Sequence, residues 1–494
     1  MRQLSSLDTG FLALDTPRTP MHIGSVCLYD PSTIPDGGFS IDRLRGFVEQ
    51  RIHRAKMMRE RLVRVPMSVD LPYWINDPDF DIEYHIKHTA IPAPGDWDQL
   101  MALASHIFAE HLDLEKPLWE MYVVEGVDAV KGVPKGAYAL INKVHHAAID
   151  GLSGIEVMST SHELSADAEA EKPRRKWKPE PIPTQVELLG RAYVHALKVP
   201  GQTISAGKAV IGSARRFASF MVKQSVTGER SKFKSVGPKT VFNGKVSPHR
   251  VFGGECFDLA EVKAIKESEP GLKLNDVVLT ICAGALHKYL KSGDMLPDDP
   301  LLSMVPVSVR SENAKKDLGN QVTVMSVPLG THIADPDERI AFQHDSQLSR
   351  KEMLDAVGAE SLQDYSTLLP SALVGLASRV YTTYGIANRI APIFNTVITN
   401  VPGPPIPIYN CGAKMERMYG LVPIFDGMGL GHVVNSYCDV LTISFNACAE
   451  MLPDPDFYSA CLRESFEELL SVRAPRPKGR KPKVVHDADA KKAS

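Results

Sequence analysis

The chain has 494 residues, too many for a single hydrophobic core, and its length fits two to four domains. A hydrophobic fraction of 44% and a charged fraction of 23% are ordinary for a soluble globular protein, and no apolar run reaches the roughly 18 residues that span a bilayer. Seven cysteines without a C-x-x-C pair argue against a disulfide framework or a zinc site, and the N-terminus lacks the apolar segment of a signal peptide. We therefore expect a reduced, cytoplasmic protein.

The net charge of −3 conceals a strong asymmetry along the chain. Residues 172–239 hold 15 Lys/Arg against 3 Glu, a charge of +12, and residues 473–494 hold 8 Lys/Arg against 2 Asp, a charge of +6. An acidic body with two basic segments suggests contact with an anionic partner, such as a phosphate ligand, a membrane surface or a nucleic acid. The alternative is that both segments are solvated linkers, which we favour for the Pro- and Lys-rich tail.

The first part of the chain, residues 1–165, alternates strand and helix patterns. Apolar stretches rich in β-forming residues predict strands at His22–Asp30, Pro117–Gly126 and Gly136–Val144. Helical periodicity is found at Ile41–His53, Asp96–His111 and Leu152–Leu164.

Residues 166–245 form a basic, Pro-rich linker. The run "EKPRRKWKPEPIPTQ" has too many prolines for a core element, and helices are predicted after it at Val186–Val199 and Ser205–Lys223. The second helix has an apolar face, with Lys208, Arg215 and Arg216 elsewhere on its surface. Such a helix can lie on a membrane or dock its apolar face on the protein core, and the pattern leaves both open.

The alternation of strands and helices resumes in residues 246–472, and a basic tail without apolar periodicity, predicted to be disordered, follows at residues 473–494. Strands are predicted at Val251–Leu259, Leu301–Arg310, Asn320–Gly330, Asn395–Gly403 and Asp439–Ala447. Helices are predicted at Asn275–Gly293, with Asn275 as N-cap and Gly293 after the last turn, and at Asp454–Val472. The sequence thus predicts an α/β (α+β) protein with two similarly composed halves.

The stretch "NKVHHAAIDGLSG" (Asn142–Gly154) carries the clearest chemical signal. His145 and His146 stand where a predicted strand ends, and such ends face the crevices where α/β proteins bind ligands. A neutral imidazole can take a proton from a hydroxyl group, and neighbours on a strand point to opposite faces, so we expect one working and one supporting histidine. Asp150 can contact His146 directly or brace the loop, and Gly151 permits a turn that a side chain would block.

Other catalytic signatures are missing from the sequence. It contains no G-x-S-x-G elbow, no H-E-x-x-H, no P-loop and no full G-x-G-x-x-G. The non-catalytic alternative for His146 is a buried histidine with satisfied hydrogen bonds. Against it, His146 is the only one of the 16 histidines with an aspartate four residues later.

The motif "HHAAIDG" resembles the H-H-x-x-x-D-G signature of the coenzyme-A-dependent acyltransferase superfamily. Further blocks narrow the resemblance to the bacterial wax ester synthase/diacylglycerol acyltransferase family, and they occur in family order from residue 4 to past residue 400. These blocks are "LSSLDTGFLALDTPRTPMHIG" (Leu4–Gly24), "PLWE" (Pro117–Glu120), "NDVVLT" (Asn275–Thr280), "VPVSVR" (Val305–Arg310), "GNQVTVMSVPL" (Gly319–Leu329) and "TNVPGP" (Thr399–Pro404).

The resemblance implies two chloramphenicol-acetyltransferase-like halves with an active-site tunnel at their interface. It implies transfer of a long-chain fatty acyl group from acyl-CoA, a co-substrate, to a fatty alcohol or to diacylglycerol, giving a wax ester or triacylglycerol. No bound cofactor and no metal is expected. We expect a cytoplasmic protein, peripheral at the inner membrane face or on lipid inclusions.

The resemblance also implies roles for the motif residues. His146 would be the general base for the acceptor hydroxyl, and its imidazolium could protonate the departing thiolate, so no acyl-enzyme is needed. Asp150 would hold the loop, paired with an arginine of the second half, for which Arg310 is the candidate; a surface position is the alternative for Arg310. His145 would shape the site, and Gly151 would permit the turn.

The pair Asn275 and Asp276 matches the family's N-D block. A helix cap explains the pair without a catalytic role, and the alternative is that Asn275 donates a hydrogen bond to the oxyanion of the tetrahedral intermediate.

Two rival functions remain open at this level. A condensation-domain-like acyltransferase would use carrier-bound substrates, but the block Leu4–Gly24 argues against it. A catalytically silent lipid- or membrane-binding protein would use the basic segments, but the intact pair of His146 and Asp150 disfavours it. Nucleic acid is not expected as a partner because the tail lacks aromatic residues between its basic ones. The sequence leaves open the preferred acceptor, the acyl chain length, the residues that bind the coenzyme A phosphates and the oligomeric state.

Overall fold

The computed structural model describes residues 1–35, 38–149, 153–169, 171, 177–198, 236–308, 322–357 and 391–474. Within these ranges the strands form two six-stranded sheets and one three-stranded sheet. The strands are β1 (Arg2–Gln3), β2 (His22–Asp30), β3 (Glu60–Val63), β4 (Tyr73–Asn76), β5 (Ile86–Ala90), β6 (Trp119–Glu125), β7 (Tyr138–His145), β8 (Arg250–Asp258), β9 (Leu302–Ser308), β10 (Val322–Pro328), β11 (Thr396–Pro402), β12 (Tyr409–Asn410), β13 (Ala413–Leu421), β14 (Leu430–Tyr437) and β15 (Val440–Cys448).

The described helices pack mainly on the two larger sheets. They are α1 (Ser6–Leu14), α2 (Ile41–Arg51), α3 (Ile82–His85), α4 (Trp97–Ala109), α5 (Ser153–Ser161), α6 (Gln185–Lys198), α7 (Leu259–Glu267), α8 (Leu274–Ser292), α9 (Pro336–Val357) and α10 (Pro455–Arg473). No helix in this part of the chain combines the length and the apolar character needed to cross a membrane.

The first six-stranded sheet has the order β12-β13-β2-β7-β6-β5 and is buried on both faces. Side chains alternate along β2, so Cys27 and Tyr29 join the cluster that includes Leu44 and Val48 of α2, whereas Val26 and Leu28 join the cluster under α4. This double cover explains why the central strands read as nearly continuous apolar runs.

The start of α4 shows how local sequence sets an element. The side chain of Asp96 accepts the Gln99 N–H at 3.0 Å, and the Gln99 side chain accepts the Asp96 N–H at 3.1 Å, a reciprocal capping box. Leu100, Ala104 and Phe108 then recur at helical spacing and pack on the first sheet.

The second six-stranded sheet has the order β10-β9-β11-β14-β15-β8, with β11 parallel to β9 and β14 and the other pairs antiparallel. Helix α8 is the centre of its core, because α8 is apolar on nearly every side and packs on α7, α9 and α10. A helix that is apolar all round is stable only when it is covered all round.

The two halves share structure instead of lying side by side as separate units. Strands β12 and β13 come late in the chain but extend the first sheet, with β13 antiparallel to β2. The Tyr138 hydroxyl donates to the side-chain oxygen of Asn410 at 2.8 Å, and α4 also packs against β8 of the second sheet. The sequence predicts two successive halves, and it does not predict that strands from late in the chain join the first sheet.

An ion pair also joins the two parts of the chain. The Arg18 guanidinium donates to both carboxylate oxygens of Asp426, at 2.9 and 3.0 Å, and to the Val246 carbonyl at 2.6 Å. The hydrogen bond that Arg18 donates to Asp426 raises the pKa of Arg18 against the opposing effect of burial. This bidentate geometry fixes the segment before β2 against the turn before β14.

The predicted strands and the helices of both halves are confirmed, within three residues at each end. One detail is wrong: Asn275 is not the N-cap of α8, because the helix begins at Leu274 with Lys273 as its cap. Gly293 follows the helix as predicted. The predicted helix Val186–Val199 corresponds to α6, whereas the predicted helix Ser205–Lys223 and the tail beyond residue 474 lie outside the described residues. The boundaries at residues 165, 245 and 472 stay predictions.

Candidate active site

The histidine motif lies where β7 leaves the centre of the first sheet. β7 ends at His145, and residues His146–Ala148 form a single 3-10 turn. The His146 N–H donates to the Met21 carbonyl at 2.8 Å, and the His145 N–H donates to the Leu118 carbonyl at 2.9 Å. The turn is therefore held by main-chain bonds from both sides, at the kind of strand end where a ligand can be reached.

His145 is the more enclosed histidine of the pair. Its side chain is fully buried, and its Nδ1 accepts the Ala147 N–H at 3.0 Å. Because Nδ1 accepts, the hydrogen-bond pattern assigns the proton of the neutral ring to Nε2, which lies 3.8 Å from Asp15 Oδ2. His145 thus acts on the shape of the turn.

His146 is only partly buried, and its ring stacks on Phe11 of α1, with 3.9 Å between ring centroids and 19° between the planes. Burial lowers the pKa of His146 to about 4, its own main chain opposes part of that shift, and His145 adds to it. The ring is therefore neutral at physiological pH, the form that can accept a proton.

The structure places a group of polar side chains around His145 that was not predicted from the sequence. His22 faces His145 across the β2–β7 pair, and Asp15 Oδ2 lies 3.4 Å from His111 Nδ1. His22 is fully buried, and neither of its ring nitrogens has a hydrogen-bond partner among the described residues. Burial, with help from Lys143, His145 and His111, places the pKa of His22 well below its usual value.

The only sequence signal for Phe11, Asp15 and His22 was the block Leu4–Gly24, which served as a family mark and not as part of the site. The proximity of Phe11 and Asp15 to the motif is set by α1 packing on the 3-10 turn, and that of His22 by the pairing of β2 with β7. No periodicity or spacing in one dimension predicts that contact.

Lys143, two residues before His145, has a structural environment. Its ammonium group is fully buried, donates to the carbonyls of Ile107 and Glu110 at 3.1 Å each, and pairs with Glu120 at 3.0 Å. Burial lowers the pKa of Lys143 against the opposing effect of Glu120. Lys143 therefore ties the C-terminal end of α4 to the central strand.

The other predicted site residues are distributed as follows. Asp150, Gly151 and Arg310 lie outside the described residues, and their roles stay predictions. The Asn275 side-chain amide donates to Gln347 at 3.1 Å, and Asp276 accepts the Lys273 N–H at 2.9 Å.

The carboxylate of Asp276 also lies 2.9 Å from His344 Nδ1 on α9. Within the described ranges no hydrogen bond joins Asn275 or Asp276 to the histidine turn, so the observed contacts of this pair serve helix capping and the packing of α8 on α9. In the same ranges, no group of three or more His, Cys, Asp or Glu is arranged to hold a metal ion.

The architecture and the histidine turn define a class of protein. The fold is that of condensation domains: a mutant starter condensation domain of rhizomide synthetase, in complex with C8-CoA and Leu-SNAC, has a TM-score of 0.53 and 14% identity over 96% of this chain and 95% of that chain. Residues 4–278 match the wax ester synthase/diacylglycerol acyltransferase catalytic domain, and residues 318–470 match the WS/DGAT C-terminal domain. The chain belongs to the wax ester synthase/diacylglycerol acyltransferase family, and it is an acyltransferase.

Relatives over nearly the full length support the same assignment. The chain is 30% identical to a protein of Mycobacterium tuberculosis that carries the name diacylglycerol O-acyltransferase, over 97% of this chain and 92% of the relative. A second M. tuberculosis protein with that name is 31% identical over 94% of this chain and 99% of its own length. The solved wax ester synthase/diacylglycerol acyltransferase from Marinobacter aquaeolei VT8 superposes with a TM-score of 0.68 and 25% identity, covering 95% of this chain and 98% of that chain.

Proposed function

We propose that the protein transfers a long-chain fatty acyl group from acyl-CoA to the hydroxyl group of a fatty alcohol or of diacylglycerol, with His146 as the general base. The observation that carries this proposal is the neutral, partly exposed imidazole of His146, held at the end of a central strand in a chain of this family.

The proposed reaction is a direct displacement. His146 takes the proton of the acceptor hydroxyl as its oxygen attacks the thioester carbonyl, the C–O bond forms, and the C–S bond breaks when the tetrahedral intermediate collapses. The imidazolium then returns its proton to the coenzyme A thiolate, so the enzyme ends in its starting form. No covalent intermediate on a serine or cysteine is needed.

The donor class is supported by the family and by the fold relatives. The family is named for an acyl transfer, and rhizomide synthetase condensation domains of this fold are described in complex with C8-CoA. The Lys- and Arg-rich segments of this chain would suit the phosphates of coenzyme A.

The experiment for the reaction supplies labelled palmitoyl-CoA together with hexadecanol or dioleoylglycerol and separates the products by thin-layer chromatography. We expect wax ester, triacylglycerol or both from the wild-type protein, and loss of product from His146→Ala. A parallel reaction with palmitoyl on an acyl carrier protein tests the condensation-like alternative. Product only from the carrier-bound donor, or no product from any donor, would contradict the proposal.

We also propose that the protein meets its acceptors at a lipid surface, because long-chain alcohols and diacylglycerol reside in membranes and lipid inclusions. The apolar residues Val186, Tyr193 and Leu197 of α6 are 81%, 67% and 61% exposed, whereas Leu188 and Ala192 on the same helix are buried. The chain then continues into residues 199–235, which hold 7 Lys/Arg against 1 Glu. An exposed apolar face beside a basic segment suits an anionic lipid surface.

Flotation of the purified protein with vesicles containing anionic lipid tests this contact. The charge-reversed variant Lys208→Glu/Arg215→Glu/Arg216→Glu and the variant Val186→Ser/Tyr193→Ser/Leu197→Ser should both float less than the wild type. Flotation equal to the wild type in both variants would exclude these segments as the lipid contact. Loss in the second variant alone would assign the contact to α6.

A further inference from the structure

We propose that two residues of the N-terminal segment, Phe11 and Asp15, are positioning residues for the general base: Phe11 fixes the plane of the His146 ring, and Asp15 fixes the main chain on which that ring is carried. The inference rests on the proposed function, because it assigns work to His146. It adds α1 to a site that the histidine motif alone had placed at the end of β7.

Phe11 restricts the His146 side chain directly. The two rings are nearly parallel, with 19° between their planes and 3.9 Å between their centroids, which is a close stacking contact. Nδ1 of His146 is buried and has no hydrogen-bond partner among the described residues. No hydrogen bond from Nδ1 to a described residue therefore restrains the ring, and the stack on Phe11 is a contact that resists its rotation.

Asp15 acts on the main chain of the turn. Its side chain is 2% exposed, and Oδ1 accepts the Met21 N–H at 2.9 Å. The carbonyl of the same residue, Met21, accepts the His146 N–H at 2.8 Å. The carboxylate and the catalytic residue are thus joined through one peptide segment, and a shift of Asp15 moves the hydrogen-bond partner of His146.

Asp15 also faces the supporting histidine. Its Oδ2 lies 3.8 Å from His145 Nε2 and 3.4 Å from His111 Nδ1. The Ala147 N–H occupies His145 Nδ1, so the ring proton is on Nε2, which makes no hydrogen bond to a described residue but lies close enough to the Asp15 carboxylate to be attracted by its charge. The Asp15 carboxylate therefore favours the tautomer of His145 in which Nδ1 can accept the Ala147 N–H. Other ionisable groups near this cluster are His22 and Lys143.

The test for Phe11 compares Phe11→Ala, Phe11→Leu and Phe11→Tyr in the palmitoyl-transfer assay. We expect kcat to fall on the order of tenfold in the alanine and leucine variants, because a base that is free to rotate spends less time in the reactive orientation. Phe11→Tyr should restore most of the rate, since it keeps the ring. Leu259→Ala on α7, a partly buried leucine in the cluster with Phe257 and Val262, is the matched control and should keep its kcat.

A pH profile separates positioning from a merely structural effect. In Phe11→Ala the His146 ring gains access to water, so its pKa should rise towards 6.5 and the acid limb of kcat/KM should move to higher pH. A change in stability alone would leave the limb where it is. If Phe11→Ala does not fold, the comparison of Phe11→Leu with Phe11→Tyr decides the question.

The test for Asp15 uses Asp15→Asn, which keeps an oxygen for the Met21 N–H but removes the charge, and Asp15→Ala, which removes both. We expect kcat to fall in the order wild type, Asp15→Asn, Asp15→Ala, with the KM for palmitoyl-CoA changing less than threefold. Asp42→Asn on the surface of α2 controls for the loss of one negative charge.

The outcomes distinguish this inference from the proposed function. An inactive wild type, or a wild type equal to His146→Ala, means that the proposed function fails. An active wild type that requires His146, with Phe11→Leu and Asp15→Ala at full kcat and an unmoved acid limb, overturns the positioning role alone.

Discussion

Two adjacent histidines of one motif have opposite surroundings in this protein. His145 is fully buried and uses Nδ1 to accept a main-chain N–H, whereas His146 is partly exposed and rests against an aromatic ring. Their surroundings differ because the strand ends between them, so that one side chain belongs to the sheet and the next to the turn. The first prediction follows from this difference.

At the residue scale, His146→Ala should lower kcat by a hundredfold or more, the usual scale for the loss of a general base. His145→Ala should lower kcat less but reduce the free energy of unfolding by about 1–3 kcal/mol, because it leaves the buried Ala147 N–H unpaired. Acyl-transfer kinetics and chemical denaturation of both variants check the two effects. Full activity in both variants would contradict the assignment of roles.

The pH dependence of catalysis should reflect the low pKa of His146. The proposed mechanism needs the neutral ring, which is lost as the pH falls through the pKa, and burial places that pKa at about 4 instead of 6.5. We therefore expect kcat/KM to stay level from pH 7 down to about 5 and to fall below that. A profile measured with a soluble short-chain acyl-CoA checks this, and an acid limb centred between 6 and 7 would contradict it.

At the element scale, the start of α8 shows what a pattern can and cannot locate. The sequence predicted the helix and its end at Gly293, but it placed the cap at Asn275, two residues too late. The side chain of Asp276 reaches back to the Lys273 N–H and across to α9. Composition gives the residue types of a cap, whereas the direction in which each side chain bonds depends on the packed neighbour.

Asp276→Ala should reduce the free energy of unfolding by about 2–3 kcal/mol, because it leaves the Lys273 N–H and the partly buried His344 on α9 without their partner. Asn275→Ala, which loses one hydrogen bond to Gln347, is the matched variant and should cost less than half as much. Urea denaturation measures both. A large fall in kcat for a folded Asn275→Ala would instead support the oxyanion role considered for Asn275.

The predicted strands β7 and β15 and the missed strand β13 are all largely buried, but they differ in sequence pattern. Strands such as β7 and β15 are long apolar runs, and a run of this kind is visible in the sequence. β13 carries Lys414, Glu416 and Arg417, and its pairing with β2 shifts register between Met415 and Arg417. A charged, irregular strand whose partner lies far away in the chain has no local signature.

At the scale of the whole molecule, the site depends on contacts that are distant in sequence. The motif could be found from its residues, and its position at a strand end was predicted correctly. The stacking of Phe11 and the approach of Asp15 could not be, because both follow from how α1 packs on the sheet. The ion pair between Arg18 and Asp426 could not be predicted either, because nothing in the sequence near one residue indicates the other as its partner.

Stability across the physiological pH range should respond to one buried carboxyl group. Glu255 of β8 is buried beside Arg463 of α10, and burial raises its pKa to about 7 despite the attraction of the arginine. The folded protein therefore holds a proton that the unfolded chain has lost above about 4.5, so the contribution of Glu255 is present below pH 4.5 and is lost as the pH rises through 7.

The melting temperature of the wild type should fall between pH 5 and pH 8 more steeply than that of Glu255→Gln, which has no proton to lose at this position. Differential scanning calorimetry of the two proteins across this range checks the difference in slope. Parallel curves would show that Glu255 ionises alike in the folded and unfolded states.

The addition of the late strands β12 and β13 to the first sheet has a consequence for folding during synthesis. While the ribosome is still adding the second half, β2 presents an open edge whose partner has not yet been synthesised. The first sheet can be completed only after residue 421 has left the ribosome, when most of the chain has been synthesised. Until then the open edge of β2 can pair with other unpaired strands. For the same reason, two fragments obtained by dividing the chain within residues 199–235 would have to associate before either could finish folding.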